Sequence, residues 1–258
     1  MPYKIAFFDI DGTLLDEEKQ IPQDTIDAIR DLQASGVPAV IATGRAPYFF
    51  APIAEQLGID SYVSLNGAYV VYKGEAIYRR PIPREDVETL VSHASAHNHT
   101  LVFEGHDSFY RNTESHPHVF NSVASLRVAQ PGFDPDFWQK EDVYQIFLHC
   151  TEGEEHLYGE ANPGLRFIRW HDTAMDVLTV DGSKAQGIKA LLKLLNIAPE
   201  EAVAFGDGLN DKEMLEVVGL GIAMGNSHEE LKPFANYITT HVSDSGIRNG
   251  LVHAGLIK

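Results

Sequence analysis

The sequence predicts an α/β protein with a parallel-sheet core formed by both ends of the chain and an α+β segment inserted between them. Continuously apolar strands alternate with helices at the start of the chain and again from residue 183 onwards. Such strands are typical of parallel sheets that are covered on both faces. The strands end in short polar motifs, and ligands bind at the carboxyl ends of strands in such sheets.

The first core segment, predicted as residues 1–80, follows a strand–helix–strand order. A helix is expected to begin at Pro22, because proline suits the first helical turn, and to end before Gly36. Strands are predicted over 5–8, 37–42 and 62–65, a second helix over 47–57, and a hairpin over 69–72 and 76–78.

The middle of the chain, residues 81–182, is predicted to be a separate α+β domain because its pattern is less regular. It contains both tryptophans and most of the histidines. A helix is expected over 84–96, and strands near 100–104, 108–111, 143–149, 165–170 and 175–180.

The second core segment, residues 183–258, returns to the first pattern. Its first helix carries Ile188 and Leu191 on one face. The expected elements after it are a strand over 202–205, a helix with Met214 and Leu215, a strand over 221–224, a helix with Leu231, a strand over 237–239 and a terminal helix.

Charge and composition narrow the possible partners. The 258 residues carry a net charge of −17, which argues against nucleic acid and against an anionic membrane surface. Cys150 is the only cysteine, so an internal disulfide is impossible. No apolar run is long enough to span a bilayer and no leader pattern opens the sequence, so a cytoplasmic monomer or homodimer is expected.

The first predicted strand runs into two carboxylates, Asp9 and Asp11. In an extended backbone, side chains two residues apart point the same way, so both should enter one small volume. Two anions this close require a cation, a shared proton, or both. Gly12 allows a sharp turn that leaves backbone amides open to an anion.

Three further motifs follow predicted strands or begin a helix. Thr43, Lys184 and the acidic pair Asp207 and Asp211 could each be ordinary, as a turn, a solvated charge and a helix cap. Their combination with Asp9 and Asp11, at the exits of adjacent parallel strands, predicts a catalytic site.

Taken together, these motifs resemble the four motifs of the haloacid dehalogenase-like superfamily. The spacing, with a long insert between the second and third motifs, resembles its Cof-type phosphatases, which have a Rossmann-like core and an α/β cap of type IIB. The residue runs 65–68, 204–211, 214–215 and 223–226 also fit that subfamily. The resemblance covers both core segments and is weaker over the inserted cap.

The resemblance implies a Mg²⁺-dependent phosphatase that hydrolyses phosphomonoesters of small metabolites through an aspartyl-phosphate. Asp9 is the implied nucleophile, and Asp11 the acid that protonates the leaving alcohol and then activates water. Mg²⁺ would be held by Asp9, the backbone carbonyl of Asp11, and Asp207, with Asp211 holding a bound water or ligating directly.

Further residues are expected to bind the phosphoryl group. Thr43 and the amides near Gly12 and Gly44 would donate hydrogen bonds to it, and Lys184 would neutralise charge on the phosphate and Asp9. Further polar contacts with the substrate are expected from Arg45, Asn66 and Asn210, although Asn66 could equally shape the turn before Gly67.

Three other functions would account for part of this pattern. A phosphosugar mutase would use the same chemistry but pass the phosphate to a second hydroxyl instead of water. A phospho-receiver domain also gathers acidic residues, a threonine and a lysine, but its phosphorylated aspartate ends a later strand. A degenerate binding protein would have lost one of the key residues, and none is lost.

The histidines of the middle segment could suggest zinc. His116 and His118, with the group His93, His97 and His99, are instead expected at a wet surface, since no cysteine accompanies them.

Overall fold

A computed structural model of the chain describes residues 3–258, and these divide into two compact units. The first unit contains the segments up to Arg45, Phe50–Arg79 and Ser183–Lys258. The second contains Arg80–Gly182 together with the short segment Ala46–Phe49.

The first unit is built on a mostly parallel sheet. Its strands are β1 (Ile5–Phe8), β2 (Ala39–Ala42), β3 (Tyr62–Ser64), β4 (Tyr69–Tyr72) and β5 (Glu75–Arg79), then β12 (Ala202–Gly206), β13 (Leu220–Ala223) and β14 (Tyr237–Ile238). The strand order is β14-β13-β12-β1-β2-β3-β4-β5. The pairs β3–β4 and β4–β5 are antiparallel, and β4 and β5 form the predicted hairpin.

Both faces of this sheet are covered, as the continuous apolar strands predict. In β1, Ala6 and Phe8 pack into one apolar cluster, whereas Ile5 and Phe7 pack into another. The helices of the unit are α1 (Gln23–Ala34), α2 (Pro47–Leu57) from Phe50 onwards, α6 (Lys184–Leu195), α7 (Lys212–Val217) and α8 (Gly246–His253). The α/β fold class with a parallel core is therefore confirmed.

The register of β1 with its two neighbours aligns the strand exits. Phe8 lies opposite Phe205 of β12 and opposite Ile41 of β2. The loops that follow these three strands therefore begin at nearly the same level of the sheet. This alignment brings Asp9, Thr43 and Asp207 to one edge of the core.

The second unit is an antiparallel-rich sheet with helices. Its strands are β6 (Thr100–Glu104), β7 (Phe109–Arg111), β8 (Gly132–Phe133), β9 (Gln145–His149), β10 (Leu165–His171) and β11 (Ala174–Thr179), in the order β10-β11-β9-β6-β7-β8. Its helices are α3 (Arg84–Ala96), α4 (Pro117–Ser125) and α5 (Phe137–Lys140). Leu101 and Phe103 of β6 face one apolar cluster, and Val102 faces another.

One predicted helix is wrong. The stretch around Leu231 forms turns and a single 3₁₀ turn, Lys232–Phe234, instead of an α-helix. Pro233 explains the difference, because proline has no N–H to donate and its ring clashes with the preceding helical turn. The helix α4 was not predicted, because a segment of nine residues is too short to show a clear helical repeat of apolar residues.

Within residues 3–258, no helix combines the length and the apolar character that crossing a membrane would require.

The second unit contains a buried histidine, His149, whose exposed fraction is 0%. Its Nε2 lies 3.0 Å from the hydroxyl of Ser122. Burial, followed by the nearby histidines, lowers the pKa of His149 from 6.5 to about 3, so this ring is neutral in the folded protein. In the unfolded chain the ring takes up a proton below about pH 6.5.

We therefore expect acid to destabilise this unit. The contribution of His149 to the free energy of unfolding is fully present above pH 6.5. It is lost as the pH drops towards 3, because the unfolded state then binds one more proton than the folded state. The loss from this one group amounts to about 2 kcal/mol at pH 5. Urea unfolding followed by tryptophan fluorescence measures it, because Trp138 and Trp170 are the only tryptophans and both lie in this unit.

The matched variants for this prediction are His149→Gln and His156→Gln. The first should flatten the dependence of the unfolding midpoint on pH between 7 and 5, whereas the exposed His156 should leave it unchanged. An equally steep dependence in His149→Gln would mean that other groups control acid stability.

Candidate active site

Asp9 is the first residue after β1 and is 7% exposed. Its backbone N–H donates to the carbonyl of Phe205 at 3.0 Å, which continues the β1–β12 pairing by one more bond. The backbone of Asp9 is thereby fixed at the sheet edge by the strand pairing, and its side chain is largely shielded from solvent.

The loop after Asp9 turns sharply at Gly12. This residue has φ +74°, a conformation that side chains other than glycine rarely adopt. A methyl group at this position would overlap the Asp207 carboxylate. The Gly12 carbonyl accepts a hydrogen bond of 2.7 Å from the Asn226 side chain, whose oxygen accepts the Val242 N–H at 2.9 Å. Glycine is therefore required for the close approach of the first and last core segments.

The loop after β12 supplies two more carboxylates. Asp211 is fully buried, and its Oδ2 accepts the backbone N–H groups of Asp207 at 2.9 Å and Gly208 at 3.0 Å. Asp207 Oδ1 accepts a hydrogen bond of 3.0 Å from the hydroxyl of Thr13. Thr13 therefore orients an acid that is 194 residues away along the chain.

Lys184 is the first residue of α6 and is 1% exposed. Its Nζ donates to Asp9 Oδ1 at 2.5 Å and to Asp211 Oδ1 at 2.6 Å. The helix start is positioned by Gly67, at φ +92°, where a Cβ would overlap the carbonyl of Ser183. This close packing brings the ammonium group between two carboxylates.

Carboxylate oxygens of Asp9, Asp207 and Asp211 all lie within 4.8 Å of one another. Burial raises the pKa of Asp9 well above its ordinary value, against the opposing charge of Lys184. Burial, together with the charge of Asp211, raises the pKa of Asp207 to about 7. Burial alone would lower the pKa of Lys184, but the charges of Asp211 and Asp9 raise it above its usual range. Three acids share one buried cation, so the site favours additional positive charge.

The donor set of this three-acid group fits a hard divalent cation. It offers carboxylate oxygens only, which are the ligands that Mg²⁺ prefers over nitrogen or sulfur. Within residues 3–258, it is the one group of at least three histidine, cysteine or acidic side chains with ligand atoms this close.

Asp11 takes a different direction from Asp9. Its Oδ2 accepts from Arg45 Nε at 2.8 Å, and its Oδ1 accepts from Arg45 Nη2 at 2.7 Å and from Lys19 Nζ at 2.6 Å. Burial alone would raise the pKa of Asp11, but the hydrogen bonds and charges of Arg45 and Lys19 outweigh it and lower that pKa. The Asp11 carboxylate therefore lies outside the three-acid group and is ionised at neutral pH.

The remaining predicted residues follow β2 and β3. Thr43 is 2% exposed, and its Oγ1 accepts the backbone N–H of Arg45 at 3.1 Å. A Cβ on Gly44 would come within 3.0 Å of the Asn66 side chain. Asn66 has φ +50° and forms a long hydrogen bond of 3.5 Å with Asn210. Asn66 therefore shapes its turn and also faces Asn210, so both expected roles are compatible with its position.

The structure thus collects most of the predicted residues at one edge of the core sheet. Three residues with clear structural roles were not assigned one from the sequence: Lys19, Thr13 and Asn226. Asn226 ends the run 223–226 and Thr13 directly follows Gly12, so both lie in or beside motifs that the sequence analysis uses. No sequence motif indicates the role of Lys19, because its contact with Asp11 depends on the path of an irregular loop.

The five histidines of the second unit that could suggest zinc differ in their exposure to solvent. His97 is exposed, and the other four are half-buried, so His97 alone lies fully at the expected wet surface. Within the described residues they also do not offer three ligand atoms within 4.8 Å of one another.

The similarity to known proteins extends over nearly the whole chain. A family model of haloacid dehalogenase-like hydrolases matches residues 6–251. The Bacillus subtilis (strain 168) protein YkrA, a provisionally named phosphatase, is 40% identical over 258 residues, covering 100% of both chains.

Two solved structures are also similar to this chain over nearly its whole length. A crystal structure of a hypothetical protein from Geobacillus kaustophilus HTA426 is 49% identical, with a TM-score of 0.94, and covers 99% of this chain and 100% of that chain. The subclass IIB sugar phosphatase BT4131 is 31% identical, with a TM-score of 0.87, and covers 98% of this chain and 100% of that chain.

Proposed function

Because this chain belongs to the haloacid dehalogenase-like hydrolases and is a phosphatase of that superfamily, we propose that it hydrolyses phosphomonoesters of small metabolites with Mg²⁺, through an aspartyl-phosphate on Asp9. One observation carries the proposal. Asp9, Asp207, Asp211 and Lys184, from opposite ends of the chain, form a single buried cluster with Asp9 at its edge.

In the first step, an Asp9 oxygen attacks phosphorus and forms the new P–O bond. The bond from phosphorus to the substrate oxygen breaks, its electron pair stays on that oxygen, and Asp11 supplies the proton that makes the alcohol. Lys184 keeps the Asp9 carboxylate in place and offsets its charge, so that an anion can approach another anion.

Asp11 needs a proton for this step, whereas Arg45 and Lys19 keep it ionised in the free protein. A phosphate dianion would compete for the Arg45 guanidinium and would add negative charge nearby. Both effects raise the pKa of a carboxyl group. In the second step Asp11, again ionised, takes a proton from water, which attacks phosphorus and releases phosphate and free Asp9.

Asp9, Asp207 and Asp211 are the side chains proposed to hold Mg²⁺, with the backbone carbonyl of Asp11. When bound, the ion would cancel the repulsion between the acids and the phosphate and would polarise the phosphoryl oxygens. The excess of three acids over one buried lysine supports this assignment.

Thr43 and the amides around Gly12 and Gly44 are proposed to bind the phosphoryl oxygens, with Arg45, Asn66 and Asn210 as further polar contacts. The segment 81–182 is proposed to be the cap domain that selects the substrate. A sugar phosphate, a nucleotide or a cofactor phosphate would each fit this scheme, and the similarity to a sugar phosphatase favours the first. We propose a cytoplasmic monomer or homodimer with no nucleic-acid or membrane partner.

The test is a phosphate-release screen over these substrate classes with Mg²⁺, with EDTA, and with Mg²⁺ restored after EDTA. We expect release with Mg²⁺, loss of at least about 100-fold with EDTA, and recovery when Mg²⁺ returns. Mg²⁺ should also raise the Tm of the EDTA-treated protein, because a cation that binds only the folded state stabilises it.

Two results would contradict the proposal. Release that is unaffected by EDTA would exclude the metal assignment. Transfer of phosphate to a second hydroxyl, without free phosphate, would identify a mutase instead.

A further inference from the structure

Lys19 lies in the loop between β1 and α1, and its Nζ donates to Asp11 Oδ1 at 2.6 Å. The same oxygen accepts from Arg45 Nη2 at 2.7 Å, while Arg45 Nε binds the other oxygen. The Asp11 carboxylate is therefore held from two directions, by a bidentate guanidinium and by an ammonium group.

The loop holds Lys19 in place through hydrogen bonds around Asp16. Asp16 Oδ1 accepts the N–H groups of Glu18 and Gln20, each at 2.9 Å. The Asp16 carbonyl accepts the Lys19 N–H at 3.0 Å, and the Asp16 N–H donates to the Gln20 carbonyl at 2.9 Å. This closed turn directs the Lys19 side chain back towards Asp11.

The turn also requires an unusual backbone conformation. Lys19 has φ +61°, in the left-handed region that a residue with a side chain seldom adopts and usually at some cost. Glycine or asparagine would adopt this conformation more easily, but neither carries an ammonium group. The loop therefore accepts backbone strain at a position whose side chain binds the Asp11 carboxylate.

A simple surface ion pair would explain these contacts less well. The side chains of Lys19 and Asp11 are 35% and 40% exposed, and exposed pairs usually add little stability. Asp11 already has both oxygens bound by Arg45, so Lys19 is not needed to satisfy it. The additional contact mainly restricts the direction in which the carboxyl group points.

We propose that Lys19 is a positioning residue for proton transfer by Asp11. The inference rests on the proposed function, in which Asp11 gives a proton to the leaving oxygen. When Arg45 turns to the phosphoryl group, Lys19 is the contact that keeps the Asp11 carboxyl aimed at that oxygen.

This role predicts a dependence on the leaving group. A sugar alkoxide is a poor leaving group and needs the proton, whereas p-nitrophenolate leaves readily without one. The ratio kcat/KM covers only the steps up to the release of the alcohol, so it isolates the first proton transfer. A purely structural role for Lys19 would affect both substrates equally.

The experiment compares kcat/KM for p-nitrophenyl phosphate and for the fastest sugar phosphate of the screen. Lys19→Met is expected to lower kcat/KM for the sugar phosphate by about 10- to 100-fold, and for p-nitrophenyl phosphate by no more than about 3-fold. Lys19→Arg should restore most of the sugar phosphate activity. Lys4→Met is the matched control, because it breaks a surface ion pair with Glu201 of similar length, 2.7 Å.

Equal losses on both substrates, or no loss on either, would overturn the positioning role. Lys19→Gln and a Tm measurement on each variant separate a local effect from misfolding. Failure of the proposed function would look different, because the wild-type protein would then release no phosphate from either substrate or would not need Asp9.

Discussion

Asp9→Asn is expected to abolish phosphate release while leaving the fold intact. The amide cannot act as the attacking oxygen, so the loss should reach at least about 10⁴-fold, as is usual when a nucleophile is removed. The variant also removes one of the three carboxylates of the buried group, and one of the two that pair with Lys184. Their mutual repulsion then decreases, so the Tm of the metal-free protein should stay the same or rise.

Kinetics and thermal unfolding are therefore measured on the same preparations. Asp60→Asn is a suitable control, because Asp60 lies outside the described cluster, in the loop before β3. Substantial phosphate release by Asp9→Asn would exclude an aspartyl-phosphate at this residue. A large fall in its Tm would mean that Asp9 has mainly a structural role.

Lys184→Met should have the second largest effect on phosphate release. It should also lower the free energy of unfolding. Lys184 is buried between Asp9 and Asp211, and methionine would leave both acids without a cation. Breaking a buried charge pair by removing one partner typically costs about 3–5 kcal/mol. Activity should fall by about 100-fold or more, because the charge that offsets Asp9 is gone.

Urea unfolding without metal measures this loss, followed by far-UV circular dichroism because both tryptophans lie outside the first unit. Mg²⁺ should restore part of the stability by supplying the missing positive charge. The exposed Lys189 of the same helix gives the control Lys189→Met, which should change the free energy of unfolding by about 0.5 kcal/mol or less. An unchanged unfolding midpoint in Lys184→Met would contradict the role assigned to the buried cluster.

Much of the core was predictable because its signals are local. The apolar strands before Asp9, Thr43 and Asp207 each end within a residue or two of the predicted point. Parallel pairing then brings their exits together, so the order of motifs along the sequence is sufficient to place these side chains at one edge. Lys184 could be predicted for the same reason, since it begins the first helix of the second core segment.

The direction of Asp11 could not be predicted. An extended backbone through residues 9–11 would direct both side chains the same way, but β1 ends at Phe8 and a turn begins at Ile10. Asp11 therefore points to Arg45 and Lys19 and not into the three-acid group. The contact with Lys19 depends on the left-handed backbone conformation of that residue in an irregular loop. No local sequence pattern indicates that a non-glycine residue adopts this conformation.

The second unit was harder to predict in detail because its elements are short. The strand β8 has two residues and α5 has four, too few for any hydrophobic period to show. The order of strands in this sheet depends on pairing between segments far apart in the sequence, such as β6 with β9. The residues around each strand carry no local pattern that identifies its partner.

The central place of β1 in the core sheet has a consequence for synthesis of the protein. Its two neighbours, β2 and β12, come from opposite ends of the polypeptide. Until the ribosome has added residues 202–206, one side of β1 is an open row of backbone donors and acceptors, which is a template for aggregation with other nascent chains. That edge of β1 stays unpaired while the inserted segment is translated, and the three-acid group is complete only once Asp207 and Asp211 have been added.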